Sequence, residues 1–205
     1  QRLDALQHWR AFAEVIVVDG GSSDGSPELA ASRADQVVCC GRGRARQQNA
    51  GAARAAGDYL LFLHSDTTPG ISPEAFIECL RKAPAWGFFS IRLDGSDWRL
   101  RIIERFMSWR SRFTRVATGD QALFVRRELF ESLDGFADIP LMEDIDISKR
   151  LRQRAKPLVL KPPVVTSSRR WQQGGVLSTV LLMWELRLRY WLGTDPASLA
   201  RRYRG

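Results

Sequence analysis

Two apolar runs, each stopping at an aspartate, most constrain what this chain can fold into. In VIVVDGGSSDGS (15–26) four branched apolar residues run straight into Asp19, two glycines and a second acidic turn, and YLLFLHSD (59–66) ends likewise at Asp66. Continuous Val, Ile and Leu runs mark strands buried on both faces, as in a sheet sandwiched between helices. Ligands of open α/β sheets bind outside the carboxyl ends of the strands, so both aspartates are aimed at one crevice rather than at the core.

The segments between them alternate accordingly. DQVVCCG (35–41) and WGFFSIRLDG (86–95) read as further strands. SPELAASRA (26–34) and SPEAFIECLRKA (72–83) read as helices with Ser26 and Ser72 as caps and proline in the first turn. RGRARQQNAGAARAAGD (42–58) and WRLRIIERFMSWRSRF (98–113) are helical by composition, and MEDIDISKRLRQR (142–154) is a helix with Glu143 and Asp144 in its first turn. ATGDQALFVRRELFESLDGF (117–136) reads as loop, strand and helix. SSRRWQQGG (167–175) reads as a polar loop before an amphipathic helix. The expected class is α/β, a mixed, mostly parallel sheet flanked by helices. One domain is expected over 1–170, with 171–205 as its amphipathic helical tail. The opening QRLDALQHWRAFA has helical spacing and no strand before it, so an N-terminal strand is expected to be missing.

Composition narrows the partners. The 205 residues carry 31 Lys and Arg against 23 Asp and Glu, a net charge of +8, which favours nucleotides, nucleic acid or an anionic membrane surface. No RRM, KH or helix-turn-helix signature accompanies the arginines, so nucleic acid is not expected. Three cysteines without metal spacing suit a reducing cytoplasm. The longest apolar stretch of the tail, VLLMW (180–184), is broken by Glu185, Arg187 and Arg189, so no membrane span is expected.

Several residues carry two readings. His64 and Asp66, two apart at a strand end, can reach one ion or diphosphate, or Asp66 can cap the following TTP. Asp19 can accept from a base or ribose, or merely organise its turn. Arg42, Arg44 and Arg46 can clamp phosphate or form a solvated helix face. Glu143 and Asp144 can serve as general base or complement a helix dipole. There is no GxSxG elbow and no P-loop, and only two histidines are present, His8 and His64.

In order, VIVVDGGSSDGS, RGRARQQNAGAARAAGDYLLFLHSDTTP, GDQALFVRR and LMEDIDISKRLR resemble the family 2 glycosyltransferases, which have the GT-A fold, over about residues 14–154. VDGGSSDG, RGRARQQNAGA, ATGDQA and IPLMEDID are similar to the bacterial subgroup of radical-SAM/selenobiology-associated glycosyltransferases. The resemblance implies that Asp19 contacts the donor's nucleoside. It makes Asp66 the last residue of a DxD-type motif holding Mg²⁺ or Mn²⁺ on the nucleotide diphosphate, with His64 in place of the first aspartate. ARQQNAG stands for the family's ARNxG segment and puts Arg46, Asn49 and Gly51 near the donor, with Arg44 among the arginines at the leaving diphosphate. Asp144 matches the catalytic base, with Glu143 beside it. Gly119, Asp120 and Gln121 match the acceptor and donor-sugar pocket, and Arg170 and Trp171 fall in a shortened form of the QxxRW signature. Relatives begin with a strand of the type SIIIPTLNE, which this chain lacks.

The expectation is an inverting, metal-dependent transfer of sugar from a nucleotide-diphosphate sugar to a hydroxyl acceptor, one that could be lipid-linked. The expected place is the cytoplasm, with peripheral contact to the inner membrane. The alternative is a non-catalytic protein of the same fold that binds a membrane surface, motivated by the net charge and by LLMWELRLRYWLG (181–193).

Overall fold

A computed structural model describes residues 2–204, without the side chains of Arg170, Gln173 and Arg204. After a 3-10 segment, Asp4–Ala11, come β1 (Ile16–Asp19), α1 (Ser26–Ala31), β2 (Gln36–Cys39), α2 (Arg44–Ala52) and β3 (Tyr59–Leu61). The middle holds α3 (Pro73–Leu80), β4 (Trp86–Leu93), α4 (Trp98–Thr114), a 3-10 turn at Gly119–Gln121, β5 (Phe124–Arg126) and α5 (Arg127–Glu131). α6 (Glu143–Arg154), β6 (Leu158–Thr166), α7 (Arg169–Gly174), α8 (Val176–Trp191) and α9 (Pro196–Arg204) complete it.

The class is α/β, with helices against two sheets. β1 pairs parallel with β2 alone, and the second sheet runs β3-β5-β4-β6. There β5 is antiparallel to both neighbours and β4 is parallel to β6. Asp19 and Asp66 therefore follow strands of different sheets. β3 also ends early: Phe62 N–H still donates to the Leu123 carbonyl, then Thr67 N–H turns back to the His64 carbonyl. The HSD segment is a turn, not a strand end.

β6 escapes a pattern search because Pro162 and Pro163 interrupt it. Proline has no N–H to give the ladder, and the β4–β6 register shifts between Phe89 and Ile91 at this point. SSRRWQQGG is likewise not a loop, since it contains α7. Ser72 caps α3, its Oγ accepting from Ala75 N–H at 3.3 Å. Ser26 does not cap α1: Gly25, at φ 77°, takes the cap position, and Ser26 N–H is used by Asp24 Oδ1.

Side chains of β4 alternate between two core layers. Trp86 and Phe88 pack with Phe130, Ile147 and Leu151, whereas Phe89 packs with Trp9, Phe76 and Phe124. Between them Gly87 must stay bare, because a Cβ would lie 2.1 Å from the Leu158 carbonyl oxygen. The C-terminal helices join this body: Leu186 of α8 and Leu199 of α9 bury against Leu141, Met142 and Ile145. Among the described residues, no helix is long and apolar enough to cross a membrane.

Candidate active site

The ends of four elements meet in one cleft. The turn after β3 contributes His64 and Asp66, the 3-10 turn contributes Gly119 and Asp120, the start of α6 contributes Glu143 and Asp144, and the start of α2 contributes Arg44. α4 adds Arg110, and the wall beyond it is built from α4 and α8. The cleft encloses about 610 Å³. One half is polar; the other is apolar, lined by Ile103, Phe106, Met107, Val180, Met183 and Trp184.

Its floor is fixed by a buried amide. Gln121 is wholly buried, accepts from Ser111 Oγ at 2.7 Å and from Thr118 N–H at 3.1 Å, and donates to the Phe89 carbonyl at 3.2 Å. It therefore pins the turn that carries Gly119 and Asp120, and it does not line the cleft as a pocket residue would. With the turn held, Gly119 N–H donates to Asp144 Oδ2 at 2.8 Å. Asp144 Oδ1 accepts from Ile145 N–H, one of the donors left free at a helix start. Met142, which precedes the helix, is held in the left-handed region at φ 72°. An unbranched non-glycine side chain pays strain there, and buried packing against α8 and α9 holds it.

Burial dominates the electrostatics of the acid pair. It pushes Asp144 upward, and the two N–H groups and Arg44 only partly offset it. Glu143 is also raised, by burial and then by the neighbouring Asp144 charge. Arg44 Nη1 stands 4.0 Å from Glu143 Oε1. Burial pulls Arg110 down to about 10, with Asp144 as the opposing influence. A carboxylate held above its ordinary range between two arginines can take a proton while anionic charge gathers beside it.

His64 sets its Nδ1 3.3 Å from Asp120 Oδ1. Burial works against charging this ring, but the Asp120 hydrogen bond and charge outweigh it and raise His64 overall. Its Nε2 is buried without a hydrogen-bond partner and faces Gly119, where an added Cβ would come within 2.6 Å. His64 thus stands at the cleft with Nδ1 against Asp120 and Nε2 turned towards Gly119. Among the described residues no three His, Cys, Asp or Glu side chains form a cation site. The exposed carboxylate of Asp66, at the cleft, fits a cation that keeps waters and takes its other ligands from a diphosphate.

Other expected donor residues stand elsewhere. Asp19 Oδ2 accepts from Gly21 and Ser22 N–H at 2.7 Å, so it organises its turn, and it does not line the cleft. Arg46 pairs with Asp138 at 2.9 Å on the surface. Asn49 exchanges two hydrogen bonds with the Phe136 backbone, tying α2 to the segment after α5. Gly51 packs on Val18, whose Cγ2 would be 2.9 Å from an added Cβ. Trp171 lines the cleft, and the Arg170 side chain lies outside the described residues. Arg110 carries no motif of its own; with α4 in place, Ile103, Met107 and Arg110 form the stripe that faces the cleft.

Comparison with known proteins agrees with this architecture. Residues 2–131 match the family Glycosyl transferase family 2. Staphylococcus aureus TarS 1-349 in complex with UDP superposes with a TM-score of 0.61 at 17% identity, over 80% of this chain and 54% of that one. The mannosyltransferase PcManGT from Pyrobaculum calidifontis, in complex with GDP-Man and Mn²⁺, gives 0.60 at 19% identity, over 98% of this chain and 64% of that one. At these identities the likeness is one of fold, and this chain spans about half the length of TarS 1-349. Comparison with curated protein sequences gives no match. With more than half of its length matched and the GT-A architecture shared, the chain belongs to glycosyltransferase family 2.

Proposed function

We propose that the cleft transfers a sugar from a nucleotide-diphosphate sugar to a hydroxyl acceptor, with inversion at the anomeric carbon. The observation that carries this reading is Asp144: a carboxylate of raised pKa, fixed by Gly119 N–H and flanked by Arg44 and Arg110 in an open cleft. The acceptor oxygen attacks the anomeric carbon as the bond from that carbon to the diphosphate oxygen breaks. The acceptor proton passes to Asp144, and the bonding pair leaves with the diphosphate beside the two arginines. A divalent cation held by Asp66 would supply further charge neutralisation to the diphosphate. TarS, solved with UDP and with UDP-GlcNAc, and PcManGT, solved with GDP-Man and Mn²⁺, support a donor of this class.

Asp19 belongs to this reading as the nucleoside contact, in addition to its turn. Arg46 and Asn49 act in it by fixing α2, and Asp120 acts through His64. The apolar half of the cleft suits an acceptor whose hydroxyl sits on an apolar carrier. The motif details shared with the radical-SAM/selenobiology-associated bacterial subgroup, and a cytoplasmic site of action, are part of the same reading.

The test is Asp144→Asn, assayed with radiolabelled UDP- and GDP-sugars against lipid and aqueous cell extracts as acceptor pools. The variant is expected to bind nucleotide as the parent does and to lose transfer. Transfer at the parent rate would overturn the assignment of the base.

A further inference from the structure

We infer that the outer faces of α4 and α8 form one docking surface for an anionic phospholipid bilayer, beside the apolar end of the cleft. Thirteen large hydrophobic side chains are exposed among the described residues, and eleven of them lie on α4, on α8 or at Leu192, which caps α8. On α4 they fall at Trp98, Ile102, Phe106, Trp109 and Phe113; on α8 at Leu177, Leu181, Trp184, Leu188 and Trp191. Both sets follow the three-and-four spacing of a helical stripe, and each stripe lies opposite the residues its helix buries: Leu100 and Ile103 on α4, Thr179 and Leu186 on α8.

The stripes join into one surface. The Phe106 and Trp184 rings meet across the helices at 5.6 Å, and the row continues along α4 through Trp109, which stacks on Phe113 at 5.8 Å. Phe106 and Trp184 also line the cleft, so the surface and the cleft's apolar half share a rim. An aromatic area of this extent, left open to solvent, marks an interaction site.

Charge and residue type select the partner. The two helices hold seven arginines against two glutamates, and both glutamates are already paired, Glu104 with Arg101 and Glu185 with Arg189. Arg105 and Arg112 flank the α4 stripe, and Arg187 stands at the cleft on α8. Four tryptophans among leucines with arginines alongside is the composition of a helix lying in a headgroup region, where rings sit at the boundary and arginines reach phosphates. The notable point is that α4 contributes as much as the C-terminal helix. Docking this way would bring the cleft rim to the lipid surface, where an acceptor with an apolar carrier resides; that consequence rests on the transfer reading, whereas the docking itself does not.

The experiment is cosedimentation of the whole chain with phosphatidylcholine vesicles and with vesicles containing phosphatidylglycerol, at low and high salt, without donor or acceptor. Binding is expected only to the phosphatidylglycerol vesicles, weakened by salt. Trp109→Glu on α4 and Trp191→Glu on α8, each outside the cleft lining, are each expected to weaken it by about tenfold or more. Leu29→Glu, an exposed apolar position on α1, is the control and is expected to bind as the parent. Circular dichroism establishes that each variant is folded. Failure to bind phosphatidylglycerol vesicles, or equal binding by all variants, overturns the proposal. So does a lipid-free dimer that Trp109→Glu and Trp191→Glu dissociate, since the face would then be a contact between copies. Because no transfer is measured, none of these results bears on the assignment of Asp144.

Discussion

The backbone N–H of Gly119 donates to Asp144 Oδ2 at 2.8 Å, joining the 3-10 turn after α4 to the first turn of α6. This bond holds the ionised form, yet burial still leaves Asp144 above its ordinary value of 3.8. A base must be deprotonated to act, so transfer is expected to fall as pH drops through this raised value. The acid limb of the kcat profile should therefore lie above 3.8. Glu143→Gln removes a like charge beside Asp144 and is expected to move that limb downward. A limb unmoved by this change would mean that the two carboxyls are not electrostatically linked.

Glu143 makes its own contribution to stability. Its folded pKa is raised above 4.5, so the stability linked to it is present below 4.5 and is lost as pH rises through the folded value. Glu143→Gln keeps a neutral group of the same shape and is expected to raise Tm at pH 8 but not at pH 4.

His64 is paired with Asp120 across 3.3 Å. Because Asp120 raises His64 above 6.5, the stability from this pair is complete below pH 6.5 and declines as pH rises through the folded value. Titration followed by NMR of the ring protons is expected to place His64 above 6.5 in the parent and lower in Asp120→Asn. Equal values in the two proteins would contradict the pairing.

Much of this site is legible in the sequence, for a physical reason. Asp66, Glu143 and Asp144 each follow a local signal, an apolar run that stops or a helix that begins, Asp120 follows from the resemblance carried by GDQ, and the cleft collects all four. What is not legible is how far a strand extends and where a polar side chain spends its hydrogen bonds. YLLFLHSD looks continuous, but β3 stops at Leu61 and the chain then turns at His64, whose carbonyl accepts from Thr67 N–H. Gln121 and Asn49 resemble pocket residues by position, yet Ser111, Phe89 and Phe136, distant in sequence, use up their amides. Arg110 shows only as one more arginine in a basic helix until α4 is docked.

Asn49 offers a direct test of that structural role. Asn49→Ala leaves the Phe136 N–H and carbonyl without their partners, at 2.9 and 2.8 Å in the parent. The expected loss is about 1–3 kcal/mol in urea unfolding. A loss of nucleotide affinity with unchanged stability would instead make Asn49 a donor contact.

Gly119 tests the geometry of the turn. A Cβ there would lie 2.5 Å from His64 Cε1, so Gly119→Ala must displace the ring or the turn that holds Asp144. Misplacing the base by about 1 Å is expected to reduce kcat on the order of 100-fold. Full activity in Gly119→Ala would show that the cleft does not depend on this contact.

The cleft is expected to bind a nucleotide diphosphate through a cation at Asp66. Calorimetric titration of UDP and of GDP, each with and without Mn²⁺, into the parent chain and into Asp66→Ala tests it most directly. One nucleotide is expected to bind the parent only with Mn²⁺, and Asp66→Ala is expected to abolish that binding. Nucleotide binding that ignores Mn²⁺, equal binding by Asp66→Ala, or no binding of either nucleotide to the parent would contradict it.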